Sequence, residues 1–115
     1  MLSALETLVR AESPSDDLAA CRKVVALANE IALKELGKPA EIKEVNGRPV
    51  FWWGTQIRKV VLLAHLDTVW PIGSYSPIWE INGDVLRGPG TFDMKAGFIQ
   101  ALFALKGIEG EVALI

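Results

Sequence analysis

Lys59-Val60-Val61-Leu62-Leu63-Ala64-His65-Leu66-Asp67 decides the architecture. From Val60 to Ala64 every residue is apolar, with no polar position alternating between them. A strand with one wet face would alternate, so this run predicts a central strand of a parallel sheet covered on both sides. The apolar run ends at His65 and gives way to a loop over 66–78 carrying Pro71, Gly73 and Pro77.

Working outward towards the start, Leu2, Leu5, Leu8 and Val9 recur at near-helical spacing and predict a helix over 2–11. Ser13, Pro14, Asp16 and Asp17 punctuate it. Ser13 is expected to cap the next helix, with Pro14 in its first position and the two aspartates favouring its positive end. The stripe Leu18, Cys21, Val24, Val25, Ala28, Ile31, Ala32 and Leu36 predicts a long second helix, closed by Gly37 and blocked by Pro39. Ala40 to Val45 and Pro49 to Trp53 flank Asn46-Gly47, a strong two-residue hairpin signal.

Beyond the loop, Ile78 to Ile81 and Val85 to Arg87 predict a second small hairpin around Asn82-Gly83-Asp84. Gly88-Pro89-Gly90 is a rigid turn, and Met94 to Lys106 again has helical spacing. Glu111 to Ile115 reads as a further apolar strand, expected to lie centrally. Helices alternating with strands predict an α/β layered fold with a mixed, mostly buried sheet. A buried strand with no covering helix after it is a poor ending for a complete domain, which predicts a piece of something larger.

Composition excludes several classes. Half of the 115 residues are hydrophobic and mean hydropathy is +0.28, so the chain is not disordered. Twelve basic and 14 acidic residues leave a net charge of −2, with no basic field for nucleic acid. One cysteine, Cys21, cannot form an internal disulfide and reads as a small buried apolar residue. No signal peptide is visible, and no apolar run approaches the roughly 20 residues of a membrane span. The expectation is a cytoplasmic protein.

The chemistry-bearing residues are few. His65, the single histidine, stands at the carboxyl end of the apolar strand, where ligands bind in open α/β sheets. Asp67, two residues on, falls on the same side at strand spacing and suits a carboxylate accepting a ring N–H from a metal-bound histidine. On this short motif alone, a lone histidine near a strand end is more often a hydrogen-bonded core or rim residue. In Gly88-Pro89-Gly90-Thr91-Phe92-Asp93-Met94-Lys95 the turn delivers Asp93 to a helix start. Locally Asp93 reads as an N-cap; the functional alternative is that it faces the end of the His65 strand and binds metal. Trp52 and Trp53 read as packing residues in a strand, and Trp70 as a packing residue or a pocket wall.

Together, His65-Leu66-Asp67-Thr68-Val69 with Pro71 and Gly73, then Gly88-Pro89-Gly90, Asp93-Met94-Lys95 and Gly97, resemble the di-zinc aminoacyl hydrolases. That family includes glutamate carboxypeptidase, acetylornithine deacetylase and succinyl-diaminopimelate desuccinylase. The Gly-Pro-Gly form, where many relatives carry Gly-Arg-Gly, looks most like the glutamate carboxypeptidase branch. The resemblance implies part of a zinc-exopeptidase-like catalytic domain: α/β, with a mixed, mostly parallel sheet and flanking helices, truncated after a core strand. It implies His65 as a ligand of one zinc, Asp93 as the aspartate bridging two zincs, and Asp67 as the catalytic carboxylate orienting His65. It also implies a cis Asp93–Met94 bond.

The implied substrate is a small peptide or N-acyl amino acid, cleaved at an amide bond, with glutamate as one released residue. A complete enzyme of this kind can be a homodimer. The family's later features are a glutamate general base, further zinc ligands, a lid or dimerisation domain and a last histidine. None of them can be placed before Ile115, so residues 1–115 correspond to the first part of a catalytic domain. Weak metal binding and no activity are expected of the chain alone. Two alternatives are a stand-alone, non-catalytic binding or assembly module and one half of a split enzyme.

Overall fold

The computed structural model describes residues 1–115. Helix α1 (Leu2–Arg10) and helix α2 (Leu18–Leu36) come first, followed by strands β1 (Glu41–Val45) and β2 (Arg48–Gly54). Strand β3 (Val60–Leu62) leads into the loop, and β4 (Glu80–Asn82) and β5 (Val85–Arg87) form a separate hairpin. A wide turn over Thr91–Lys95 enters α3 (Ala96–Ala104), and β6 (Val112–Leu114) closes the order.

The main sheet runs β1-β2-β6-β3. It is mixed, but within these residues parallel pairing is confined to β3 with β6; β1–β2 and β2–β6 are antiparallel. The Asn46-Gly47 hairpin forms as expected, with positive φ at both residues and Val45 opposite Arg48. Such a turn matches the twist of the strands it joins.

Two expectations are corrected. Within residues 1–115 the apolar run 59–64 is not a covered central strand. β3 lies at the sheet edge, and its neighbouring residues Val60 and Val61, which point to opposite faces, are 52% and 45% exposed. The central place goes to β6, whose Ala113 and Leu114 are fully buried. β6 is squeezed between β2 and β3: a Cβ on Gly54 would sit 2.2 Å from the Val112 carbonyl oxygen, so only glycine allows that approach.

Ser13 does not cap α2. The cap is Asp17, whose carboxylate accepts from the Ala20 N–H at 2.9 Å. Ser13 and Pro14 instead lie beside Thr68, with Pro14 bridging to it in parallel, and a turn follows at Ser15.

One core joins the three helices to the sheet. Leu5, Leu8 and Val9 of α1, Val24, Val25, Ala28 and Ile31 of α2, and Phe98, Ile99 and Leu102 of α3 meet Phe51 and Leu114. Each of these Val, Leu, Ile and Phe side chains contributes about 1.5–3 kcal/mol on leaving water. Phe51 and Phe98 pack edge to face, with centroids 5.2 Å apart. No helix is long and apolar enough to cross a membrane.

Candidate metal centre

Two loops that start at the same edge of the fold build the site. The first leaves β3; pairing continues one step past the strand, with the Ala64 N–H donating to the Ile115 carbonyl at 2.8 Å, and His65 follows. The second is the turn after β5. Gly90 has φ +69°, and a Cβ there would lie 2.4 Å from the Thr68 Cγ2, so the two loops touch where only glycine fits. Asp93 and Met94 depart from helical geometry inside this turn, which is why α3 begins at Ala96 and not at Met94. The Asp93–Met94 peptide is cis, as the resemblance implies.

His65 and Asp93, 28 residues apart, come together: the ring Nε2 lies 3.0 Å from Asp93 Oδ1. The N-cap reading of Asp93 is thereby set aside. Asp93 makes no capping bond to α3, and its side chain is 80% exposed and turned to the histidine. On the other side of the ring, Nδ1 lies 3.0 Å from the Asp67 carbonyl oxygen and 3.4 Å from its Oδ1. Asp67 thus meets His65 first through its backbone and only second through its carboxylate.

Both ring nitrogens therefore face acceptors. A neutral imidazole carries one N–H and can donate to only one of them. With Nδ1–H donating to Asp67, the Nε2 lone pair is left facing the Asp93 carboxylate, and that contact is favourable only with a proton or a metal cation between them. Electrostatics agree. Burial opposes the charged ring, yet the Asp67 carbonyl and then the Asp93 carboxylate outweigh it, and the His65 pKa is raised.

Zinc is the metal the resemblance implies, and imidazole nitrogen with carboxylate oxygen is a donor set that suits it. His65 and Asp93 fit one side of such a site. No group of three or more His, Cys, Asp or Glu converges, so these residues supply fewer protein donors than a zinc centre takes.

A cavity of about 240 Å³ adjoins the pair. Trp70, which packs edge to face on Tyr75 at 4.9 Å, stands in its wall, so the pocket-wall reading of Trp70 holds. Phe92 also lines it and is almost wholly exposed, and no lysine or arginine does so. Sequence reasoning missed Lys95. It is fully buried behind Asp93, and its Nζ donates to the Leu8 carbonyl at 2.8 Å near the end of α1. It also missed Glu12, and gave Ser13 only a capping role; both hold the His65 loop, and nothing in the local sequence marks those contacts, because their partners lie 61 and 53 residues away. Cys21 is buried, as read, with its thiol pKa pushed up by burial.

Comparison with family models and with curated proteins gave no match. Among solved structures, the chain is similar to the crystal structure of an M20 family metallo-carboxypeptidase, Sso-CP2 from Sulfolobus solfataricus. The TM-score is 0.76 at 23% sequence identity, over 98% of this chain. The fold is M20-peptidase-like. The match spans 29% of the length of that carboxypeptidase chain.

Proposed function

We propose that this chain is the first part of the metal-binding catalytic domain of a zinc-dependent amide hydrolase, a carboxypeptidase or deacylase. The observation that carries the reading is the placement of His65 between two acceptors, with the Asp93 carboxylate where a cation would be shared. In this reading His65 Nε2 and Asp93 are metal ligands. Asp67 holds the Nδ1 proton through its carbonyl, which fixes the tautomer that leaves Nε2 free to coordinate. Zinc, when bound, polarises a scissile carbonyl and lowers the pKa of water. The general base and the remaining ligands are not among residues 1–115, so the chain alone has no turnover.

The substrate class is a peptide or N-acyl amino acid. Release of glutamate in particular would need a cation to receive its side chain. The cavity beside the site has none, so that selectivity would rest on residues outside this stretch.

The test is zinc titration of the 15N-labelled chain, followed by ring-nitrogen NMR. The expected result is a zinc-dependent shift at His65 Nε2 with Nδ1 still protonated, lost in His65→Ala and at least tenfold weaker in Asp93→Asn. Zinc binding that survives both substitutions unchanged would overturn the assignment. Zinc-dependent amide hydrolysis by the purified chain would overturn the statement that it lacks turnover.

A further inference from the structure

The loop bearing His65 and Asp67 does not hold itself. Leu66, the residue between them, has its carbonyl bonded to the Ser13 hydroxyl at 2.6 Å. The Thr68 N–H donates to the Ser13 carbonyl at 2.8 Å, and the Thr68 carbonyl accepts from the Ser15 N–H at 2.9 Å and from its hydroxyl at 3.2 Å. Further along the same loop, the Gly73 N–H donates to Glu12 Oε1 at 2.9 Å. Ser13 is fully buried, and Glu12 and Thr68 are nearly so. Glu12 adopts φ +36°, a conformation that non-glycine residues rarely take and that the surrounding contacts must enforce. From the other side, the Cys21 thiol lies 3.5 Å from the Pro14 carbonyl, tying the segment to α2.

We propose that segment 12–15 is a clamp that positions His65 and Asp67, with Ser13 as its principal positioning residue. This rests on the reading of His65 as a metal ligand oriented by Asp67. The physical argument concerns one peptide. The contact between His65 Nδ1 and the Asp67 carbonyl spans a backbone step whose middle residue is Leu66, and rotation about that step would swing the carbonyl away from the ring. The Ser13 hydroxyl holds the Leu66 carbonyl, and the Ser13 carbonyl accepts from the Thr68 N–H. One residue therefore grips the loop on both sides of Asp67. The hydroxyl bond is buried, so water cannot replace it without a cavity.

The experiment compares ring-nitrogen NMR spectra of the metal-free chain, at a pH where His65 is neutral, with spectra of Ser13→Ala and of Leu105→Ala. Leu105 is a buried core residue after α3 and serves as a control for general destabilisation. The expected result is the same tautomer ratio in the wild type and in Leu105→Ala, and a ratio with less Nδ1–H in Ser13→Ala. Zinc affinity at His65 in Ser13→Ala should fall roughly 10-fold or more. An unchanged tautomer in folded Ser13→Ala overturns the proposal. If Ser13→Ala does not fold, Ser13→Cys, which keeps the side chain's shape and replaces the hydroxyl by a weak thiol donor, is read the same way, and an unchanged tautomer there overturns it. A wild-type chain that takes up no zinc at His65 would defeat the functional reading, while the metal-free tautomer comparison would still decide the clamp.

Discussion

His65 Nε2 lies 3.0 Å from Asp93 Oδ1, between a strand end and a turn that are 28 residues apart in sequence. Burial opposes the charged ring, but the Asp67 carbonyl first and the Asp93 carboxylate second outweigh it and raise the His65 pKa. Asp93→Asn should therefore lower the His65 pKa, as read by NMR titration. The sign for stability follows. The folded pKa lies above the ordinary value of 6.5, so the pair contributes fully below about that pH, and its contribution is lost as pH rises through the folded value. Asp93→Asn should flatten this dependence in urea unfolding across the neutral range.

Lys95 carries a second pH signature, of opposite sense. Burial, partly offset by the charges of Glu12 and Asp67, lowers its pKa to about 8. Between about 8 and the ordinary lysine value of 10.5, the unfolded chain holds a proton that the folded chain has released. Stability from this group should rise through that window, by up to about 1.4 kcal/mol per pH unit. In Lys95→Met the rise should disappear. At neutral pH two effects oppose: the Leu8 carbonyl loses its buried donor, a cost of about 1–3 kcal/mol, and the desolvation of the charged ammonium is relieved, so the net change should be smaller than that loss. Urea midpoints at pH 7.5 and 9.5, compared between the two proteins, check both statements.

Gly90 is where the two site loops touch. Gly90→Ala would place a methyl 2.4 Å from the Thr68 side chain at a φ of +69°. A loss of roughly 1–3 kcal/mol is expected from the overpacking, and the His65 ring signals should move as the Asp93 turn is pushed off. A variant of wild-type stability with unmoved His65 signals would mean that the turn does not set this distance.

Phe98 lies in the centre of the core, edge to face with Phe51. Phe98→Ala should lower unfolding free energy by about 3–5 kcal/mol, read from denaturant unfolding. It should leave the tautomer of His65 unchanged in the folded fraction, since α3 does not bond to the 12–15 clamp.

Local patterns were readable wherever the cause is local. The α2 stripe ending at Gly37 and the Asn46-Gly47 hairpin act through neighbouring residues, and each stands where the residue order places it. His65 at a strand end and Asp93 after a tight turn were legible for the same reason. Asp93 as a bare N-cap was the better local reading, and it failed because the partner that draws its carboxylate away lies on another loop.

The sequence by itself determined which segments are helix or strand and which side chains could carry chemistry, because propensity, periodicity and turn geometry act over a few residues. Only the tertiary structure decided that β6 enters between β2 and β3 and leaves the apolar run 59–64 at the edge, since hydrophobicity marks burial without choosing a neighbour. It alone decided that Ser13 leaves its expected cap for the Leu66 carbonyl, and that both His65 nitrogens meet acceptors. Those outcomes depend on hydrogen bonds between distant segments, whose geometry exists only once the chain has closed on itself.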